Sequence, residues 1–196
     1  EALKYAEASR GLNQPDSTID QACEEILISS GLHDEAYLRY GLRAAQGNSY
    51  RARFLAVAKR YPMMAPEDIL ADLIKTTPGE EGKWFAAAKD LKLYELALQL
   101  AEQSPCEPKT LTRAARDFLE TEPEFALGAA MAALRWLNEG WGYEVTGIDV
   151  IDAYELALAA AKRAHIDDVL DQIRALLDQT KGAGNAFVRQ SLARRL

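Results

Sequence analysis

Apolar residues recur along this chain at intervals of three and four, the spacing that lays a single stripe along a helix. Ile19, Ala22, Cys23, Ile26 and Leu27 show the pattern most plainly. Strand patterns are nearly absent, because β-branched residues are sparse and never alternate with polar ones over a useful length. The chain therefore reads as all-α. Punctuation divides it into helices near 1–10, 16–30, 33–46, 49–61, 66–76, 81–90, 92–104, 108–121, 123–139, 148–164, 166–180 and 185–195.

The expected ends follow from capping chemistry. Asp16 or Ser17 caps a helix that stops at Gly31, and Gly47, Asn48 and Ser49 close one helix and open the next. Pro66 and Pro108 stand where a first-turn proline belongs, the first followed by Glu67 and Asp68 at the positive end of the helix dipole. Thr121, Pro123 and Glu124 read as a capping box.

Tight helix-to-helix turns fall near Gly31, Pro62, Leu91, Glu122 and His165, at intervals of 31, 29, 31 and 43 residues. Near-equal spacing followed by one long interval indicates hairpin repeats of about 30 residues with one insertion. The insertion is the irregular, Gly-rich and aromatic segment 140–147, Gly-Trp-Gly-Tyr-Glu-Val-Thr-Gly. A short hairpin buries apolar surface on one side only, so each needs neighbours to complete its core. The runs Ala86 to Ala88, Ala129 to Ala133 and Ala159 to Ala161, the second interrupted only by Met131, permit close helix approach. The pairs Leu70 and Leu73, Trp84 and Phe85, Leu96 and Leu100, Leu111 and Phe118, Leu134 and Leu137, Leu156 and Leu158, and Leu176 and Leu177 are the expected anchors, with Leu96 taken as core.

Three segments carry a resemblance to a known superfamily. EALKYAEASRGLN is similar to the second helix and exit of a tetratricopeptide-like repeat. SGLHDEAYLRYGLRA resembles its internal turn, with Gly31 at the turn and Ala36 at a small packing position. AKDLKLYELALQLAEQS has the same shape around Leu91, with Tyr94, Ala97 and Leu98. The chain thus resembles the tetratricopeptide-like helical-hairpin repeats, and is similar to uncharacterised bacterial helical-repeat proteins. No repeat carries the full Trp, Leu-Gly, Tyr, Ala, Phe, Pro pattern. The resemblance implies a right-handed α-solenoid of about five hairpins, a groove for peptides or partner proteins, and no catalysis.

Bulk properties narrow the function classes. At 196 residues the chain is long enough to bury a sizeable core as a single helical-repeat domain, and its start in mid-helix pattern, without Met, reads as a fragment of a longer protein. The net charge of −7 argues against a general binder of nucleic acid or anionic membrane, so nucleic acid is an unlikely partner. The longest apolar stretch, Ala126 to Leu134, is far short of the roughly 20 residues a membrane span needs. Cys23 and Cys106 are too isolated for a disulfide framework, which favours a reducing, cytoplasmic setting.

Two surfaces stand out for partner binding. Residues 36–66 carry Arg39, Arg43, Arg51, Arg53, Lys59 and Arg60 and no acidic residue; with the whole chain at −7, the remainder stands at −13. With Tyr40 and Tyr50 beside them, Arg39, Arg43 and Arg53 form a candidate basic face for an acidic peptide or phosphate. The alternative is a set of solvated helix faces, with Glu35 and Arg39 as an ordinary i,i+4 pair. The second surface is aromatic: Trp141 and Tyr143 in the insertion are interface anchors, or else Trp136 is core and Trp141 covers a gap between unequal repeats.

Catalysis and metal binding find little support. His165, Asp168 and Asp171 share one helix side, and Asp149 and Asp152 join them only if their helices run antiparallel in register; with two histidines in all, no metal or other cofactor is expected. No nucleophile elbow or phosphate loop occurs, and adjacent acids such as Glu24 with Glu25 and Asp167 with Asp168 point apart and read as solvated surface. The expected function is a non-enzymatic scaffold for a peptide or partner protein; the alternatives are an accessory or regulatory domain of a larger enzyme, or a nucleic-acid-associated protein.

Overall fold

A computed structural model describes residues 1–8, 16–179 and 182–196. The ends of the expected helices 1–10 and 166–180, and the exit of the EALKYAEASRGLN segment, lie outside those residues. Among the described residues every regular element is helical, so the chain is all-α. It divides into two compact units, Glu1–Pro78 and Gly79–Leu196.

In the first unit α1 (Ala2–Ala8) packs on α2 (Asp16–Ser29). The α2 helix ends because Gly31 turns left-handed at φ +76°, which lets Leu32 N–H donate to Leu27 O and Gly31 N–H to Ile28 O, the paired bonds of a Schellman stop. The chain then returns along α2 through α3 (His33–Ala36), a π-turn (Tyr37–Gly41) and α4 (Leu42–Ala44). One continuous helix to residue 46 was expected here. Instead the rod widens at the π-turn and stops two residues early, because Ala45 leaves helical geometry at ψ 120°.

Ser49 then starts α5 (Tyr50–Arg60), its Oγ accepting the Ala52 N–H at 3.1 Å as an N-cap should. The α6 helix (Pro66–Lys75) packs on α5 and opens with Pro66, whose missing N–H costs nothing in the first turn. Ile19, Cys23, Leu27, Phe54, Val57, Tyr61, Ile69, Leu70 and Leu73 form the core.

The second unit begins with a 3-10 turn (Glu81–Trp84) running into α7 (Phe85–Asp90), followed by α8 (Tyr94–Gln103), α9 (Pro108–Phe118), α10 (Pro123–Glu139), α11 (Gly147–Ala164), α12 (Val169–Gln179) and α13 (Asn185–Leu192). The α10 helix is the hub, touching α8, α9, α11, α12 and α13. Its alanines Ala126, Ala129, Ala130 and Ala133 are fully buried, so neighbours approach from more than one side. Four rings, Phe85, Tyr94, Phe118 and Phe125, tie α7 to α10 with centroid separations of 4.7 to 6.0 Å.

Two expectations fail for identifiable reasons. The capping box at Thr121 does not form, because Pro123 takes the first helical position, which makes Glu122 the N-cap and leaves Thr121 one residue early. A true box forms at Thr146, where Asp149 stands at the third position and accepts the Thr146 N–H at 2.7 Å. The anchor pairs also split. Leu70, Leu73, Trp84, Phe85, Leu100, Leu111, Leu134, Leu137 and Leu177 are buried, whereas Leu96, Phe118, Leu156, Leu158 and Leu176 are only partly so. On α8 the fully inward positions are Ala97, Leu100 and Ala101, and that phase places Leu96 at the edge of the stripe.

Candidate functional site

The basic stretch of the first unit is less free than its sequence suggests. Arg39, on the π-turn, donates to Glu35 at 2.7 Å, to Glu7 at 2.6 Å and to the Tyr40 hydroxyl at 2.9 Å. Its bond to Glu35 is the first reason that its pKa lies above the ordinary arginine value. Tyr40 is 2% exposed and donates to Glu7 as well, so burial and that carboxylate push its pKa up to about 12. Arg39 and Tyr40 thus tether α1, Tyr40 from the core and Arg39 from the surface with 39% of its side chain exposed. Arg43 lies 3.6 Å from Asp20, and Arg60 lies 3.7 Å from Glu24 and 3.9 Å from Glu25. Folding therefore sets the acids of α1, α2 and α3 against a run that is purely basic in sequence.

Three of the sequence-derived residues do meet around one space. A cleft of about 470 Å³ is lined by Arg43, Gln46, Asn48, Ser49, Tyr50 and Arg53, with backbone from Ala45 and Gly47 and no acidic side chain. It lies at the amino end of α5, where unpaired N–H groups concentrate positive potential. Helices usually place Asp or Glu in that first turn, but α5 has none, and carries Arg51 and Arg53 instead. Arg53 donates to Leu42 O at 2.6 Å and Arg43 to Arg39 O at 2.7 Å, so backbone carbonyls at the end of the preceding helical rod hold both guanidiniums in place.

A second, smaller space of about 290 Å³ adjoins the first through Ala45 and Gln46, which line both. Its other walls include Gln21, Glu24, Glu25 and Arg60. Glu24 is 6% exposed, which corrects its reading as solvated surface. It tolerates burial because the Tyr61 hydroxyl donates to its Oε1 at 2.5 Å, and desolvation, with this carboxylate second, raises the Tyr61 pKa far above the ordinary value. Its neighbour Glu25 points outward with 71% of its side chain exposed. Sequence reasoning passed over Glu24 although one signal was present: it lies four residues from Asp20 and five from Ile19, beside the buried stripe that holds Cys23 and Leu27.

Trp141 and Tyr143 belong to the second unit. Trp136 is core, 4% exposed, its Nε1 donating to Ala101 O at 2.7 Å. Trp141 meets it edge-on at 6.4 Å and remains 52% exposed. Beside Trp141 a groove of about 510 Å³ runs over Pro105, Cys106 and Pro108 to Gly79 and Glu80. Burial pushes the Cys106 thiol up to about 12, so it presents a protonated, unreactive sulfur. Tyr143 is 75% exposed and does not line that groove.

No family model, curated protein or solved structure matches the chain. Among the described residues no group of three or more His, Cys, Asp and Glu is arranged to hold a metal ion. The carboxylates considered for that role have other partners: Asp149 closes the capping box, Asp152 pairs with Arg116, Asp168 accepts from Gln172 and Asp171 pairs with Arg174. Also among the described residues, no helix is long and apolar enough to cross a membrane.

Proposed function

We propose that the chain is a non-enzymatic protein-interaction module, a stack of helical hairpins of tetratricopeptide-like type, which holds an acidic segment of a partner protein in the cleft at the amino end of α5. The packing of α8 with α10, α9 with α11 and α11 with α13 supports the stacked-hairpin part, since repeats of this kind touch the next helix but one. The binding part rests on one observation. The cleft holds Arg43 and Arg53 and no carboxylate, at a helix end where the usual acidic first turn is missing. Positive side chains at the positive end of a helix oppose the local dipole preference, and breaches of a local rule concentrate at functional sites. An anion entering there meets both guanidiniums and the field of the helix end.

The test is fluorescence anisotropy with a labelled peptide of four glutamates flanked by glycine and serine. Binding is expected to weaken at least about tenfold in the double variant Arg43→Gln and Arg53→Gln, and to weaken with added salt because the contacts lie within reach of screening ions. Glutamine keeps a hydrogen-bond donor for the backbone carbonyls, and circular dichroism checks that the fold persists. Equal affinity of parent and double variant removes the cleft from the function.

A further inference from the structure

The smaller space beside the basic cleft carries an inference that rests on the reading above and extends it to the partner's sequence. Glu24 is more than nine-tenths buried, and its two carboxylate oxygens have unlike surroundings. Oε1 is held by the Tyr61 hydroxyl at 2.5 Å. Oε2 faces Arg60 Nε at 3.7 Å, an ion-pair distance beyond hydrogen-bond range, and the side chain as a whole keeps 8% of its surface exposed. Glu24 itself lines the space, together with Gln21, Glu25 and Gln46.

Arg60 is the natural counter-ion, yet it is held loosely. It lies 3.7 Å from Glu24 and 3.9 Å from Glu25, with 42% of its side chain exposed. A guanidinium at such distances gains only screened attraction, whereas an incoming cation that reaches both carboxylates and the two glutamine amide oxygens forms short charge-assisted bonds. We propose that this space is a subsite for a basic side chain, lysine or arginine, and that the partner segment is bipolar: its acidic residues lie in the Arg43 and Arg53 cleft and its basic residue beside Glu24 and Glu25. Ala45 and Gln46 line both spaces, which sets the two subsites side by side. Opposite charges in adjoining spaces set the direction of the bound chain, since reversal would bring like charges together at both ends.

Two arms test the proposal. The first titrates N-acetyl-arginine amide into labelled protein and follows the side-chain amide signals of Gln21 and Gln46 by NMR. A saturable shift is expected, weaker in Glu25→Gln and stronger in Arg60→Gln, which removes the resident cation. The second compares the glutamate peptide with a version that adds two lysines beyond a glycine-serine spacer of two to six residues. The best bipolar spacer is expected to bind at least about threefold tighter, and Glu25→Gln is expected to abolish that advantage without altering the glutamate peptide. Failure of the glutamate peptide to bind overturns the acidic-cleft reading, while the arginine titration still decides the subsite. Absence of a saturable shift, or equal affinity for every bipolar spacer and the glutamate peptide, overturns the subsite.

Discussion

Replacing Gly41 by alanine isolates the contact on which the first unit's polar core depends. Gly41 lies in the π-turn at φ −52°, an ordinary helical value, so backbone strain plays no part. An alanine in a helix gains about 1 kcal/mol over glycine. Against that, an added Cβ stands 2.8 Å from both Cε2 and Oη of Tyr61. The Tyr61 ring is 1% exposed and has Tyr37 edge-on at 5.1 Å, which restricts its retreat. Forcing a methyl into a filled core costs about 1–3 kcal/mol. If the ring moves far enough to lose its bond to Glu24, a further loss of about 1.5–3 kcal/mol follows, because the acceptor is a buried carboxylate.

The net expectation for Gly41→Ala is destabilisation of about 2 kcal/mol, measured by urea titration of far-ultraviolet circular dichroism. Hydrogen exchange of peptides spanning 37–61 places the loss. The clash also predicts its own relief: in a Tyr61→Leu background the same alanine becomes neutral or stabilising, a non-additivity above about 1 kcal/mol. A Gly41→Ala protein at least as stable as its parent would show that Tyr61 is not held against the π-turn and would refute the account.

Three further outcomes follow from burial and ionisation. Leu100→Ala, at a position 2% exposed, is expected to cost about 2–5 kcal/mol, and Leu96→Ala clearly less; all three tryptophans lie in the second unit, so their fluorescence in denaturant ranks the two, and the reverse order refutes the packing. Tyr37, Tyr40 and Tyr61 have folded pKa values above the free value near 10, Tyr40 at about 12, so the protonated forms favour the fold. The stability they supply is complete below pH 10; Tyr40's share is lost as pH rises through about 12 and that of Tyr37 and Tyr61 only above it; a pH titration should show tyrosinate absorbance from these three appearing together with unfolding, and their early ionisation in folded protein contradicts it. Cys106, 4% exposed with its thiol pushed up to about 12, is expected to alkylate with iodoacetamide more than about 100-fold slower than free cysteine at pH 8, and fast labelling of the folded chain rejects its burial.

Most of the fold could be read from the sequence because its signals are local. Gly31 marks a left-handed stop, Ser49 caps α5, and Pro66 and Pro108 open helices, each through backbone chemistry within one turn. What escaped reading depends on contacts distant in sequence. The π-turn at Tyr37–Gly41 coincides with the approach of Tyr61, twenty residues away from Gly41. Leu96 satisfies the apolar period as well as Leu100 does, and only the rotation of α8 against its neighbours separates them. Glu24 shows the same limit for charge, because its burial needs a hydroxyl supplied 37 residues later.

The basic run shows how the two kinds of information combine. Six cations without an anion between residues 36 and 66 suggest an open positive face, but the hairpins return acids from α1, α2 and α3 to Arg39, Arg43 and Arg60. A guanidinium bonded to a carboxylate loses its field at a distance, whereas one bonded to a carbonyl keeps it. Arg39 is of the first kind, with two carboxylates in contact. Arg53 donates to Leu42 O, and Arg43 donates to Arg39 O while pairing with Asp20 at 3.6 Å. Local positive potential thus depends on the acceptors around each arginine as well as on how many arginines the segment contains. The cleft at the start of α5, whose lining includes Arg43 and Arg53 and no acidic residue, is where the proposal places an acidic partner.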